Sequence, residues 1–422
     1  KHLSQRKENG RPRQLPVRAN FGCEILCIRA DHRYAYPCDK QAIEAMNFKT
    51  QKLFGLPPGV DFPQALVDGL CAHFKSCPPD AMARSHIIVN TERMRRRVRQ
   101  LFAVKSDVLH PKVHVLTDLS WFAADLELLD AQSALKNRFE LVALIDKLLQ
   151  SQPDLAARSA LFDLADSLAA LIDEMQGEAV DPASVSALNV ADQSGHWQRM
   201  QAFLGIAQTY LNARQSEPDK EGLQRKIVNH LAVRWAKNPI SEPIILAGST
   251  GSRGATLELM KAVSQLPQGV ILLPGFDFDM PRAAWDDLTE ALSAEDHPQY
   301  RFYNLLNILG LTPDQVEHWS AVAPEAHPRT ALMSLALRPA PVTDCWLAEG
   351  PKLADLAKAT EAMTLLEAPS ARHEALAIAL RLRQAAEEGQ TAALITPDRQ
   401  LTRQVTAALD RWDILPDDSA GI

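Results

Sequence analysis

Residues 243–277 constrain the fold most. Ile244-Ile245-Leu246-Ala247 is a short run of the kind that fills a fully buried strand, and it leads into a turn containing Gly248, Gly251 and Gly254. Leu257, Met260 and Val263 then recur at helical spacing, and Val270-Ile271-Leu272-Leu273 follows before Pro274-Gly275-Phe276-Asp277. Strand, turn, helix and strand in this order predict a parallel βαβ unit whose crossover helix covers one face of a sheet. Ligands of open parallel sheets sit at the carboxyl ends of strands, so the Gly248–Thr256 turn is where chemistry is expected.

That turn falls short of a phosphate loop. A working loop needs Gly-Lys-Ser/Thr, with the Lys reaching the outer phosphates and the hydroxyl holding Mg²⁺. Here Arg253 precedes Gly254, and Ala255 stands between Gly254 and Thr256. One reading is an anion-binding nest at a helix N-terminus. The preferred reading is a tight strand-to-helix turn with Thr256 near the helix start, because loosely spaced glycines are weak evidence for phosphate.

A chain of 422 residues has room for roughly two or three domains. Its 46% hydrophobic and 23% charged residues are those of a soluble globular protein. No run approaches the ~18 apolar residues of a membrane span, and no signal-peptide core stands near the start. Six cysteines in so long a chain suggest a reducing, cytoplasmic setting rather than a disulfide framework. Cys23, Cys27 and Cys38 flank His32, but without a Cys-x-x-Cys pair no metal site is assigned. The net charge of −7 argues against coating nucleic acid by bulk charge and leaves room for a local basic track.

Residues 1–50 carry scattered Lys and Arg and no hydrophobic period, and read as a poorly ordered extension or a start-site artefact. Residues 51–120 and 232–285 read as one α/β lobe, with strands at Leu53–Leu56, His86–Val89 and Val113–Leu116. Gly59 lies in the loop after the first strand with no Lys behind it, and Asp61 would repel a phosphate at the start of the next helix. After His86–Val89, Asn90 or Thr91 is placed to cap a helix bearing Arg93, Arg95, Arg96, Arg97 and Arg99 opposite Met94, Val98 and Leu101. Those arginines suit either a nucleic-acid backbone or a solvated face of intramolecular ion pairs. Residues 121–231 read as an all-helical insertion and 286–360 as a mixed helical connection. Residues 361–422 read as the start of a second α/β lobe: strand Met363–Leu366, helix His373–Glu388 stopped by Gly389, strand Ala393–Thr396 and helix Gln400–Trp412. The chain then stops abruptly, as if that lobe were truncated.

Several stretches together resemble a known family. They are Leu56-Pro57-Pro58-Gly59-Val60-Asp61-Phe62-Pro63, Val89-Asn90-Thr91-Glu92-Arg93-Met94, Leu246-Ala247-Gly248-Ser249-Thr250-Gly251-Ser252-Arg253 and His297-Pro298-Gln299-Tyr300. Leu337-Arg338-Pro339-Ala340 with Trp346, and Ala393-Leu394-Ile395-Thr396-Pro397-Asp398-Arg399, complete the set. From about Leu53 onward the chain resembles the N-terminal part of AddB, the B subunit of alphaproteobacterial AddAB helicase–nucleases. The resemblance implies a P-loop, superfamily 1 helicase-like fold with decayed ATPase motifs. Pro57–Pro63 stands at the place of Walker A without a Lys, and Ala247-Gly248 stand where Walker B carries Asp-Glu. It also implies an AddA-like motor subunit as heterodimeric partner, with ATP and Mg²⁺ bound there. The family's nuclease domain with its iron–sulfur cluster would lie beyond this chain, so no cofactor and no catalytic residue is expected here. By position, Asn90, Thr91, Arg93, Arg96 and Arg97, and Thr396, Asp398 and Arg399 on the second lobe, are the expected contacts to single-stranded DNA or DNA ends.

Three functions compete. The first is a DNA-binding, helicase-like subunit of a double-strand-break repair complex. The second is a scaffold that docks a motor subunit through its helical block. The third is a divergent P-loop ATPase with Arg253 in place of Lys, which the missing Lys and acidic pair disfavour.

Overall fold

A computed structural model describes residues 52–418, apart from 79, 106–107, 124–132, 179, 188–195, 214–218, 252–253, 290–293 and 320–327. The extension at 1–50, with Cys23, Cys27, Cys38 and His32, and Arg253 of the glycine turn lie outside the described residues.

The protein is α/β, built on one six-stranded sheet in the order β3-β2-β4-β5-β1-β6. The strands are β1 (Leu53–Leu56), β2 (His86–Val89), β3 (Lys112–Val115), β4 (Ile244–Ala247), β5 (Gly269–Pro274) and β6 (Glu317–His318). Every pairing is parallel, with Ile88 opposite Leu246 and Leu246 opposite Ile271 across the centre. The first five strands lie within a residue or so of where the hydrophobic runs place them. The two-residue β6 is too short to leave a pattern.

Both faces of the sheet are covered, which is why the central strands β4 and β5 are apolar along their length, whereas the edge strand β3, Lys-Val-His-Val, alternates. Leu53, Ile88, Ile244, Leu246, Ile271 and Leu273 face one layer. Phe54, Ile87, Val89, Val113, Ile245, Val270 and Leu272 face the other. The second layer holds α1 (Phe62–His73) and α2 (Glu92–Ala103), through Leu66, Leu70, Val98 and Phe102, with Trp319 beside them. Each such buried side chain contributes roughly 1.5–3 kcal/mol of transfer free energy.

Between β3 and β4 come α3 (Ala134–Ser151), α4 (Leu161–Glu178), α5 (His196–Ala213) and α6 (Lys220–Lys237). The first three share a core of their own around Leu141, Ile145, Leu168, Ile172 and Tyr210. By contrast, α6 packs on the sheet through Ile227, Val228, Leu231 and Trp235, beside α7 (Gly254–Gln265). Asp219 ties the two groups together. One carboxylate oxygen caps α6 by accepting from Gly222 N at 2.8 Å, and the other accepts from Gln176 Nε2 of α4 at 2.9 Å. Beyond β5 come α8 (Tyr300–Leu309) and α9 (Pro328–Ala336). No helix among the described residues is long and apolar enough to cross a membrane.

The C-terminal region departs from expectation. The helices α10 (Ala371–Glu387) and α11 (Arg399–Asp410) form, and pack through Ala375, Ala379, Val405 and Leu409. Ser370 and Asp398 cap them, and Gly389, at φ 67°, ends α10. Met363–Leu366 and Ala393–Thr396, however, are not strands. Leu365 is 87% and Ile395 94% exposed. A strand exists only where a neighbour supplies the other half of its hydrogen-bond ladder, and these runs have no such neighbour among the described residues. The expected second α/β lobe is therefore a helix pair flanked by apolar, unpaired segments.

A histidine cluster joins the helical block to the start of the sheet. His86 Nε2 lies 3.1 Å from Glu242 Oε2, and His86 Nδ1 lies 3.0 Å from His114 Nε2. The carboxylate only accepts, so Nε2 of a neutral His86 carries its proton and Nδ1 accepts from the His114 N–H. Trp121 and Phe122, which begin the connection to the helices, pack on both rings. Burial lowers His86 despite Glu242, so that contact is a neutral hydrogen bond rather than an ion pair. Burial, then the charges of His86 and Lys112, push His114 down to about 4. The unfolded chain takes up these protons near 6.5, the folded one only at lower pH. The stabilisation is therefore complete above pH 6.5 and lost as pH falls towards 4. Unfolding midpoints measured across pH 4–7 are expected to drop on the acid side, and His114→Asn is expected to flatten that limb.

Candidate nucleic-acid interface

Because all the pairings are parallel, the loops leaving β1, β2, β4 and β5 emerge along one edge of the sheet. After β1 the chain turns at Gly59, with φ 84° and open space around it. Asp61 then caps α1, accepting from Gln64 N at 3.2 Å. A carboxylate thus fills the helix N-terminus that a phosphate would need.

The turn after β4 is closed by packing. Gly248 and Gly251 adopt φ 82° and 67°, which only glycine takes without strain. A Cβ on Gly248 would lie 3.3 Å from the Phe62 ring and 3.8 Å from Asn90 Oδ1, so the loops from β1, β2 and β4 meet here around an aromatic ring. A Cβ on Gly254, the first residue of α7, would lie 2.9 Å from Gly177 O and 3.2 Å from Glu178 Cα. The carboxyl end of α4 therefore abuts the amino end of α7, a favourable pairing of opposite helix-dipole ends. The glycine spacing serves close backbone approach, and Thr256 is buried two residues into α7. These contacts account for the glycines at 248, 251 and 254 by packing.

After β5 the chain is held by polar side chains. Gln299 accepts from Asp277 N at 3.0 Å and donates to Gly275 O at 2.9 Å. His297 Nδ1 accepts from Gln299 N, so its Nε2–H donates to Leu337 O at 2.6 Å. Next to Leu337, the buried Arg338 donates to Ser334 Oγ and pairs with Glu349 at 3.5 Å. Trp346 donates to Leu335 O at 2.9 Å. The His297–Tyr300 and Leu337–Ala340 stretches thus meet in one hydrogen-bonded network. Burial raises the Asp277 carboxyl, against a lowering hydrogen bond from Ser334.

The basic residues lie beside this edge. Thr91 caps α2, its Oγ accepting from Met94 N at 3.1 Å, so the hydroxyl is engaged in holding the helix. Val98 and Phe102 bury the opposite side of α2. Arg93, Arg96 and Arg97 sit at i, i+3 and i+4 and are all exposed on one face. Arg97 lies 3.8 Å from Asp61, Arg95 pairs with Glu92 at 2.8 Å, and Arg93 pairs with Asp417 at 2.9 Å. Arg96 has no partner among the described residues.

The second group is linked to the first through Asp417-Asp418. Thr396 accepts from Asp398 N at 3.1 Å, and Asp398 accepts from Gln400 N at 2.7 Å to cap α11. Arg399, the first residue of α11, pairs with Asp418 at 3.3 Å. Asp417 and Asp418 are consecutive, so one dipeptide pairs with both Arg93 and Arg399 although the sequence separates the two arginines widely. Neither aspartate stood out in the sequence, and nothing local marks Asp417 as the partner of an arginine 324 residues away. The arrangement offers guanidinium groups from two helices to an anionic chain. Asn90 lies at the loop junction, whereas Thr396 and Asp398 act as a local turn and cap.

Gly254→Ala is expected to force the α4 end away from α7 and to destabilise the fold by about 1–3 kcal/mol, read by chemical denaturation.

In comparison with known proteins, no family model matches the chain and no curated protein matches it.

Proposed function

We propose that this chain is an ATPase-inactive, helicase-like DNA-binding subunit of a double-strand-break repair helicase–nuclease complex, guiding or scanning a single strand delivered by a motor subunit. The observation that carries this reading is that one dipeptide, Asp417-Asp418, pairs with both Arg93 and Arg399, with exposed Arg96 and Arg97 on the same helix as Arg93. Planar guanidinium groups from two helices suit a phosphate backbone, and they need no fit to particular bases. The sheet order also supports it. β5 lies between β1 and β4, so the two loops that hold nucleotide in an active enzyme of this type face each other across one strand. In this chain those loops carry Asp61, Phe62 and Gly248 rather than a Lys and an acidic pair.

A second reading, a scaffold that docks a motor subunit, draws on the helical block. Leu135, Phe139 and Phe162 are all about half exposed there. It predicts complex formation with a motor subunit and no DNA affinity in this chain.

Fluorescence anisotropy with labelled single-stranded DNA across a salt series separates the two. Binding is expected to weaken with salt, and the slope to fall by roughly 0.7 for each phosphate contact removed by Arg93→Ala or Arg96→Ala. A slope unchanged by both substitutions would sink the DNA reading. In a thermal-shift assay Mg-ATP is expected to leave the midpoint unmoved. A ligand that binds only the folded state raises it, so a concentration-dependent rise would restore the ATPase reading.

A further inference from the structure

We propose that Asp417 and Asp418 form a built-in competitor that occupies the basic track until nucleic-acid phosphates displace them, a proposal that rests on the DNA-binding reading above. Asp417 Oδ1 lies 2.9 Å from Arg93 Nη2, and the Asp418 carboxylate accepts from Arg399 Nη1 at 3.3 and 3.4 Å. Two successive residues therefore place carboxylates on arginines from two different helices, the same pair on which DNA contact is proposed. Carboxylate and phosphate oxygens make the same charge-assisted hydrogen bonds to guanidinium, so the two compete for one set of donors.

The contacts are weak enough to release. The side chains of Arg93 and Asp417 are 52% and 85% exposed, and those of Arg399 and Asp418 are 51% and 18% exposed. The exposed Arg93–Asp417 pair contributes little to stability, so opening it costs the fold little, while Asp418 is the more buried carboxylate and costs more to release. Their strength as competitors comes from tethering, which keeps the carboxylates near the arginines at high effective concentration. Arg96, one turn along α2 from Arg93, has no partner among the described residues and offers an incoming strand its first foothold.

The test uses the whole 422-residue chain and a labelled thymidine oligonucleotide at low salt. Asp417→Asn/Asp418→Asn is expected to bind about three- to tenfold more tightly than the parent. Asp154→Asn/Glu174→Gln, two exposed residues on the helical block, changes net charge equally and is expected to gain much less. Adding Arg93→Ala and Arg399→Ala to the double aspartate variant is expected to abolish its gain, because the proposed competition is for those two guanidinium groups. If the parent binds and the double aspartate variant gains no more than the charge control, the competitor is disproved and the DNA reading stands. If no protein binds the oligonucleotide, both fall.

Discussion

A parallel sheet has to be covered on both faces, and that requirement organises the protein. Its strands carry apolar side chains to both sides, and each parallel step needs a long crossover. The crossovers supply α1 and α2 on one face and α6 and α7 on the other. They also gather the loops after β1, β2, β4 and β5 at one edge. Nothing in that arrangement requires the loops to bind anything. What the edge can do is decided by the side chains on it and by what packs against it.

Two packing contacts set the chemistry of that edge. Phe62 lies against Gly248, and the end of α4 lies against Gly254. Both involve positions where a nucleotide-binding protein of similar topology would leave room for phosphate. The helical block thus does more than add mass beside the sheet, because its α4 terminus meets the amino end of α7 backbone to backbone. Asp61 adds a negative charge at the remaining helix start. The close packing at Gly248 and Gly254 and the carboxylate at the start of α1 leave the arginines of α2, beside these loops, as the basic groups nearest the edge.

Most of the sheet was legible because short, mostly apolar runs such as Ile244–Ala247, bounded by Gly, Pro or polar residues, have few other homes. The Thr91 cap was legible too, whereas Asp61, read as a charge that repels phosphate, and Asp398, read as a DNA contact, also accept from their helices as caps. Met363–Leu366 and Ala393–Thr396 read equally well as strands. They failed because a hydrophobic run specifies burial preference, whereas a strand also needs a neighbour. β6 was hidden by its length. The ion pairs of Arg93 and Arg399 were invisible because they depend on tertiary proximity, which periodicity does not encode.

The sequence left the arginines of α2 balanced between a solvated face and a phosphate-binding face, and the structure makes these less opposed than they first seem. Arg93, Arg95 and Arg97 have carboxylate neighbours, while Arg96 has none among the described residues. An exposed pair contributes about 0–1 kcal/mol, so pairing does not remove an arginine from use. It lowers the arginine's affinity for phosphate by no more than the pair itself is worth. An anionic chain that reaches several guanidinium groups at once gains from each and releases its own counterions as well. Carboxylates held at the surface can therefore tune such a face without silencing it. A like number of buried pairs could not, because breaking one leaves a charge without partner or solvent.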